Sequence, residues 1–287
     1  MWQSSRLRGF HFSSLIVERK RLELQPIDGV TRQRLMFLVH LRPDLVTPGS
    51  MAGTTAVVID VLRATTTISA ALANGADAIL PCLDLDQARQ RAEQMNPRPL
   101  LGGERQGLKI DGFDLGNSPS EYGPDVVAGR QIVFTTTNGT RAMSATADAR
   151  RVLLGAFVNF SALLEVLQED QDPIHLVCAG TNGEITQEDV LLAGALATEL
   201  VERGRQPAND AALTAIQAWQ AIPGENLVRA LEESRGGKNL LELELQKDID
   251  VAAEQDRWPA VGQLDFHAMS IQMLGNGPAI ADEENSS

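Results

Sequence analysis

Four stretches of the chain place carboxylates, arginines and hydroxyls directly behind apolar runs. The first, "VVIDVLRATTT", ends its run on Asp60 and continues through Arg63 into Thr65, Thr66 and Thr67. A carboxylate there can hold Mg2+ or act as a nucleophile. The arginine can fork onto a phosphate or carboxylate, and the hydroxyls and helix-start amides can cradle an anion. The same residues also spell an ordinary helix start, with Thr65 or Thr66 as cap and Asp60 paired to Arg63. "LLGGERQGLKIDGFDLGNSPSEY" (100–122) carries Glu104, Arg105 and Asn117 in a long glycine-rich segment of little periodicity. Such a loop is usually functional or disordered, and Gly102-Gly103 lets backbone approach a ligand. Within it, Ser118 and Glu121 have the spacing of a capping box. "FTTTNGTRA" (134–142) sets Thr136, Thr137, Asn138, Gly139 and Arg141 at a strand-to-helix turn. That is an anion pocket in outline, without the lysine and spacing of a nucleotide-binding loop. "CAGTNGEITQED" brings Thr181, Glu188 and Asp189, where Thr186 and Asp189 again have capping-box spacing and the acids suit a first helical turn.

These groups act together only if the chain folds their stretches to one place. Apolar runs rich in Val, Ile and Leu occur at 36–41, 56–60, 78–82, 131–136, 152–156 and 174–179. They alternate little, which suits strands buried on both faces. Helical patterns lie between them, at 65–74, 84–95, 138–147, 159–169 and 186–204. The alternation predicts an α/β fold, a mainly parallel sheet with flanking helices in two closely associated halves. In such sheets ligands bind outside the carboxyl ends of the strands, where the four stretches lie. Beyond Gly204, residues 208–254 read as almost wholly helical, a helical C-terminal region. "LDLD" at 83–86 starts a helix rather than forming a site.

The α/β domain is expected to span 36–270, with an extension at 1–35 and a C-terminal tail at 271–287 whose end, "ADEENSS", is expected to fray. The extension is rich in arginine but has no continuous apolar core and no small-residue cleavage site, so it does not read as a signal peptide. Two readings remain, a loosely ordered basic arm or a stretch upstream of the true start, and "MFLVHL", which opens a strand, favours Met36 as that start.

Composition narrows the partners. The 287 residues carry a formal charge of -13, which disfavours nucleic acid and anionic membranes. No run approaches the roughly 20 apolar residues of a membrane-spanning helix. Cys82 and Cys178 sit alone in apolar runs and read as reduced core thiols of a cytoplasmic protein. His11, His40, His175 and His267 show no zinc-site spacing. Asp60 lacks a second Asp two residues on, since Leu62 stands there, so haloacid-dehalogenase chemistry is not supported.

Taken in order, "VVIDVLRATTTISAALANGA", "LLGGERQGLKIDGFDLGNSP", "TTTNGTRA" and "VCAGTNGEITQED" resemble the 2-phosphosulfolactate phosphatase family. The resemblance runs from about Phe37 to about Asp256. It implies a Mg2+-dependent phosphatase that converts 2-phospho-3-sulfolactate to 3-sulfolactate, a step toward coenzyme M, and a homo-oligomer. Carried over by motif, it implies catalytic roles for Asp60, Arg63, Glu104 and Arg141. Substrate contacts fall to Thr65, Arg105, Asn117, Thr136, Thr137, Asn138, Gly139 and Thr181, and the metal to Asp60, Glu188 and Asp189. Asn182, Glu184 and Ile185 depart from the family pattern, which would have Glu, a basic residue and an aromatic there. The losses affect recognition of a sulfonate. Two other readings stand beside this one: a phosphatase for another 2-phosphohydroxy acid, and a non-catalytic anion-binding protein on the same scaffold.

Overall fold

Strands form where the double-sided apolar runs lie. The computed structural model describes residues 35–222 and 226–275. In chain order the strands are β1 (Met36–His40), β2 (Thr55–Ile59), β3 (Ala78–Pro81), β4 (Leu100–Arg105), β5 (Leu108–Lys109), β6 (Gln131–Thr135), β7 (Arg151–Gly155), β8 (Ile174–Cys178), β9 (Gln206–Pro207), β10 (Gly262–Asp265) and β11 (Ser270–Met273). The helices are α1 (Ala64–Ala73), α2 (Leu85–Gln94), α3 (Pro124–Val127), α4 (Gly139–Ser144), α5 (Phe160–Glu169), α6 (Gln187–Glu202), α7 (Asp210–Gln220), α8 (Leu227–Glu233), α9 (Arg235–Glu242) and α10 (Gln246–Ala252). The six expected strands and five expected helices are all present within a residue or a few at each end. Residues 208–254 break into four helices, α7 to α10. The expectations for residues 1–34 and for most of the tail lie outside the described residues.

One sheet of eleven strands runs in the order β5-β4-β6-β3-β11-β10-β7-β2-β8-β1-β9. It contains two parallel groups, β4-β6-β3 and β7-β2-β8-β1-β9. The hairpin β10-β11 joins them, antiparallel to β7 on one side and to β3 on the other. The sequence pattern marks no strand here. "GQLD" and "SIQM" mix polar and apolar residues and carry none of the double-sided signature of their neighbours. Strand β11 spans Ser270–Met273, on either side of the boundary expected at 270.

The two groups point in opposite senses across the hairpin. Five strand-to-strand steps separate β2 from β6, and normal twist turns the strand direction by about 100–125° over that distance. The segments that follow β2 and β6 meet. A methyl built on Gly139, just after β6, would lie 2.9 Å from Asp60 Oδ2, just after β2. Both faces are covered. Val57, Ile59 and Leu153 pack under α5 and α6, while Val58, Leu154 and Ile132 pack under α1. Among the described residues no helix is long and apolar enough to cross a membrane. Cys82 and Cys178 are buried free thiols.

Two buried histidines lie side by side in β1 and β8. His40 Nε2 and His175 Nδ1 are 3.0 Å apart, with the rings stacked. Burial holds both below the usual histidine range, His175 at about 4 with His40 adding to the effect. As pH falls below about 6.5 the unfolded chain takes up protons that the folded pair refuses, so stability is lost between 6.5 and 4. Thermal unfolding should therefore show a melting temperature that falls with pH across this window more steeply in the parent protein than in His175→Gln. Parallel slopes would contradict the assignment.

Candidate active site

Asp60 follows β2 and is 7% exposed. Its Oδ1 accepts from the Ala64 amide at the start of α1 at 3.3 Å, so the carboxylate itself caps that helix. Thr65 caps no amide of the helix start; its Oγ1 instead accepts from the Asp60 amide at 3.1 Å. Its hydroxyl donates to the Asp60 carbonyl at 2.8 Å and fixes the backbone under the carboxylate. Burial pushes the Asp60 carboxyl up to about 7, and the charges of Glu104 and Glu188 add to the rise.

Asp60 opens into a cavity of about 300 Å³. Arg63, Glu104, Asn117, Thr136, Thr137, Asn138 and Thr181 line it too, so the structure brings together residues from all four sequence stretches. Gly139 lies behind Asp60 and Thr136, where its missing side chain leaves room for both. Arg105 is turned away, donating to the Glu104 carbonyl and to Thr135 Oγ1. Arg141 is exposed on α4 and is absent from the cavity wall.

Glu104 clamps two loops rather than presenting a free carboxylate. One oxygen accepts from the Thr137 amide at 2.8 Å and the other from the Gly107 amide at 2.7 Å. The segment read as loop contains β4, paired in parallel with β6 and hidden in the sequence by its glycines and charges. Its capping box does not form: Glu121 accepts from the Gly116 amide and Ser118 turns to Asp248. Nor does Arg63 pair with Asp60. It meets Asp248 at 2.6 Å, an ion pair 4% and 2% exposed.

The acids at the start of α6 separate into two roles. Asp189 accepts from the amides of Val61 and Gly180, both at 2.9 Å, and so locks the ends of β2 and β8 together. Its Oδ2 also accepts from the Thr186 hydroxyl at 3.3 Å, so the two residues expected to form a capping box meet side chain to side chain, and Thr186 caps no backbone amide. Burial raises its carboxyl far above the usual range, with Glu188 and Asp60 contributing. Glu188 lies beside Gly236 of α9, where an added methyl would meet its Oε1 at 2.2 Å. Burial also raises Glu188, opposed by hydrogen bonds from Ser234, Thr186 and the Gly236 backbone. Its Oε2 has no partner.

The wall facing the strand ends went unread in the sequence. Gly236, Asn239, Leu240, Glu242 and Leu243 come from α9 and its end, Gln106 and Gly107 from the β4-β5 turn. Gly236-Gly237 inside a helical pattern was the available signal, since paired glycines within a helix ask for a close approach.

A family model described as 2-phosphosulpholactate phosphatase matches residues 40–266. A "Probable 2-phosphosulfolactate phosphatase" of Clostridium acetobutylicum is 38% identical over 203 residues, 70% of this chain and 86% of that protein. One so described in Symbiobacterium thermophilum is 42% identical over 206 residues, covering 71% and 88%. Another in Trichormus variabilis is 37% identical over 231 residues, covering 77% and 92%.

Proposed function

The chain belongs to the 2-phosphosulfolactate phosphatase family, and from that premise we propose that it uses Mg2+ to hydrolyse 2-phospho-3-sulfolactate to 3-sulfolactate and phosphate. Family membership makes it a phosphoric monoester hydrolase. The observation that supports a divalent cation is a shortage of protein donors to buried oxygens. Asn117 Oδ1, Thr136 Oγ1, Thr137 Oγ1 and Glu188 Oε2 are buried without a hydrogen-bond partner. Asp60 adds a carboxylate that faces the cavity.

Hard oxygen donors of this kind suit Mg2+, and Asp60 with Glu188 are the carboxylates to hold it. Among the described residues no group of three or more His, Cys, Asp or Glu is placed to bind a metal. The cation would rely on two carboxylates, neutral oxygens and the substrate's own phosphate, a mode that Mg2+ favours. Charge supports the same reading. Asp60, Glu104 and Glu242 line the cavity against one cation, Arg63, which Asp248 already neutralises. A phosphate dianion entering alone would meet net repulsion. Bound Mg2+ would supply neutralisation of the ester and of its leaving oxygen.

The chain's own groups do the rest. Arg63 offers N–H donors to phosphoryl oxygens, and Asn138 with Thr181 orients the acid portion. Asp60 serves as metal ligand or as attacking carboxylate, and both roles need it ionised. Two buried free thiols support a reducing, cytoplasmic setting.

One contact favours a second reading, hydrolysis of another 2-phosphohydroxy acid. Arg235, next in sequence to the cavity-lining Gly236, is paired with Glu184 at 2.5 Å, so Arg63 is the one arginine on the cavity wall among the described residues. Phosphate release from a panel of 2-phosphohydroxy acids, with Mg2+ and with EDTA, tests both. EDTA-sensitive turnover fastest on phosphosulfolactate is the expected result. Faster turnover of a sulfonate-free ester moves the substrate, and EDTA-resistant turnover removes the cation.

A further inference from the structure

We propose that Asp248, on α10 and 185 residues from Arg63 in sequence, is a positioning residue that aims the Arg63 guanidinium at the phosphoryl group. The inference rests on the phosphatase reading above. Arg63 donates through one terminal nitrogen to Asp248 Oδ2 and through the other to the Gly107 carbonyl, each at 2.6 Å. These two bonds, to acceptors on different elements, fix the guanidinium plane and leave further N–H donors of its five. Arg63 also lines the cavity, within which a bound phosphoryl group would lie. Asp248 is itself held, because its other oxygen accepts from Ser118 Oγ at 2.5 Å.

The contacts continue as a frame around the site. The Gly107 amide donates to Glu104, and Glu104 accepts in turn from the amide of Thr137. Ser118 follows Asn117, whose carbonyl takes the Thr67 hydroxyl at 2.9 Å. A buried ion pair is a poor device for stability, because desolvation offsets most of its attraction. Its use here is direction. An arginine free to swing among rotamers would lose alignment, and misplacement by about 1 Å can cost a hundredfold in rate.

A double-mutant cycle on kcat/KM separates positioning from mere structural support. Asp248→Asn should lower kcat/KM about tenfold to a hundredfold in the parent protein. In the Arg63→Gln background it should add less than about twofold, because the group it aims has gone. Equal losses in both backgrounds would overturn the proposal. Ser118→Ala keeps both charges and removes only the hydroxyl that steadies Asp248. It should repeat the pattern with a smaller loss, and it decides the matter if Asp248→Asn does not fold.

The same cycle is run on inorganic phosphate binding by calorimetry in the presence of Mg2+. A parent protein that binds phosphate with this non-additivity but hydrolyses no ester sinks the phosphatase reading and keeps the Arg63–Asp248 relation. Turnover with an additive cycle does the reverse.

Discussion

Asp60→Asn lowers kcat/KM by about a thousandfold or more while the fold persists. The amide keeps the volume, and its Oδ1 can still accept from the Ala64 amide, so the start of α1 is retained. What disappears is the charge that either role of Asp60 requires. Stability moves the other way. In the folded protein without a cation the Asp60 carboxyl titrates at about 7, against about 3.8 when unfolded. Between those values the folded state keeps a proton that the unfolded state has released. Stability is therefore present below the unfolded value and lost as pH rises to 7. Asn does not titrate, so the variant should melt higher than the parent above pH 7 in EDTA and nearly level with it at pH 4. Adding Mg2+ should raise the parent and leave the variant unchanged. Parent-like turnover in Asp60→Asn would remove Asp60 from both proposed roles. A higher-melting parent at pH 8 in EDTA would contradict the buried-charge account. The His40–His175 pair acts with opposite sign over the same window, so the comparison has to be between variants rather than within one pH curve.

Gly103→Ala brings the largest expected loss of stability. Gly103 lies in β4 with φ at +134°, and an added methyl would stand 2.0 Å from the Thr135 carbonyl oxygen in β6. The obstacle is backbone, not the far end of a flexible side chain, so relief requires β4 and β6 to part. A cost of about 4 kcal/mol or more follows from combined strain and overpacking, about 10 °C in melting temperature for a chain this size. Gly112 supplies the control. It also has positive φ, +77°, yet an added methyl there meets nothing within 4 Å. Gly112→Ala should cost only about 1–2 kcal/mol. Equal losses at the two positions would show that backbone conformation, not the approach of β4 to β6, sets the cost. Because Glu104 is the next residue, any Gly103→Ala protein that folds should also lose turnover.

The parts of this architecture that were legible in the sequence are those whose signal is local. Val57, Val58 and Ile59, or Leu176 and Val177, announce a strand buried on both faces wherever they are met. A motif at the end of such a strand announces a possible site. Three kinds of feature escaped. Strand β4 carries Gly102, Gly103 and Glu104, residues chosen for close approach to β6 and for clamping loops, and these erase the strand signature. The hairpin β10-β11 lies between two halves and is specified by their edges rather than by its own pattern. The Arg63–Asp248 pair spans α10 and the first motif, and nothing local to either residue names the other. The ties that Asp189 makes to the amides of Val61 and Gly180 are equally distant in sequence from anything its own motif announces.

The position of β10-β11 also imposes an order on the making of the molecule. Residues 262–273 leave the ribosome after every other strand of the sheet, yet they fill its middle. Until they arrive, β3 and β7 present unpaired backbone to whatever strand comes near, which in a crowded cell includes the same edges of sibling chains. The site depends on the same late event, because β10-β11 bridge the strand group that ends at Asp60 to the group that holds β6. A nascent chain thus holds all four motifs long before it can assemble them, and catalytic competence arrives with the closing of the sheet rather than with the synthesis of the residues that do the chemistry.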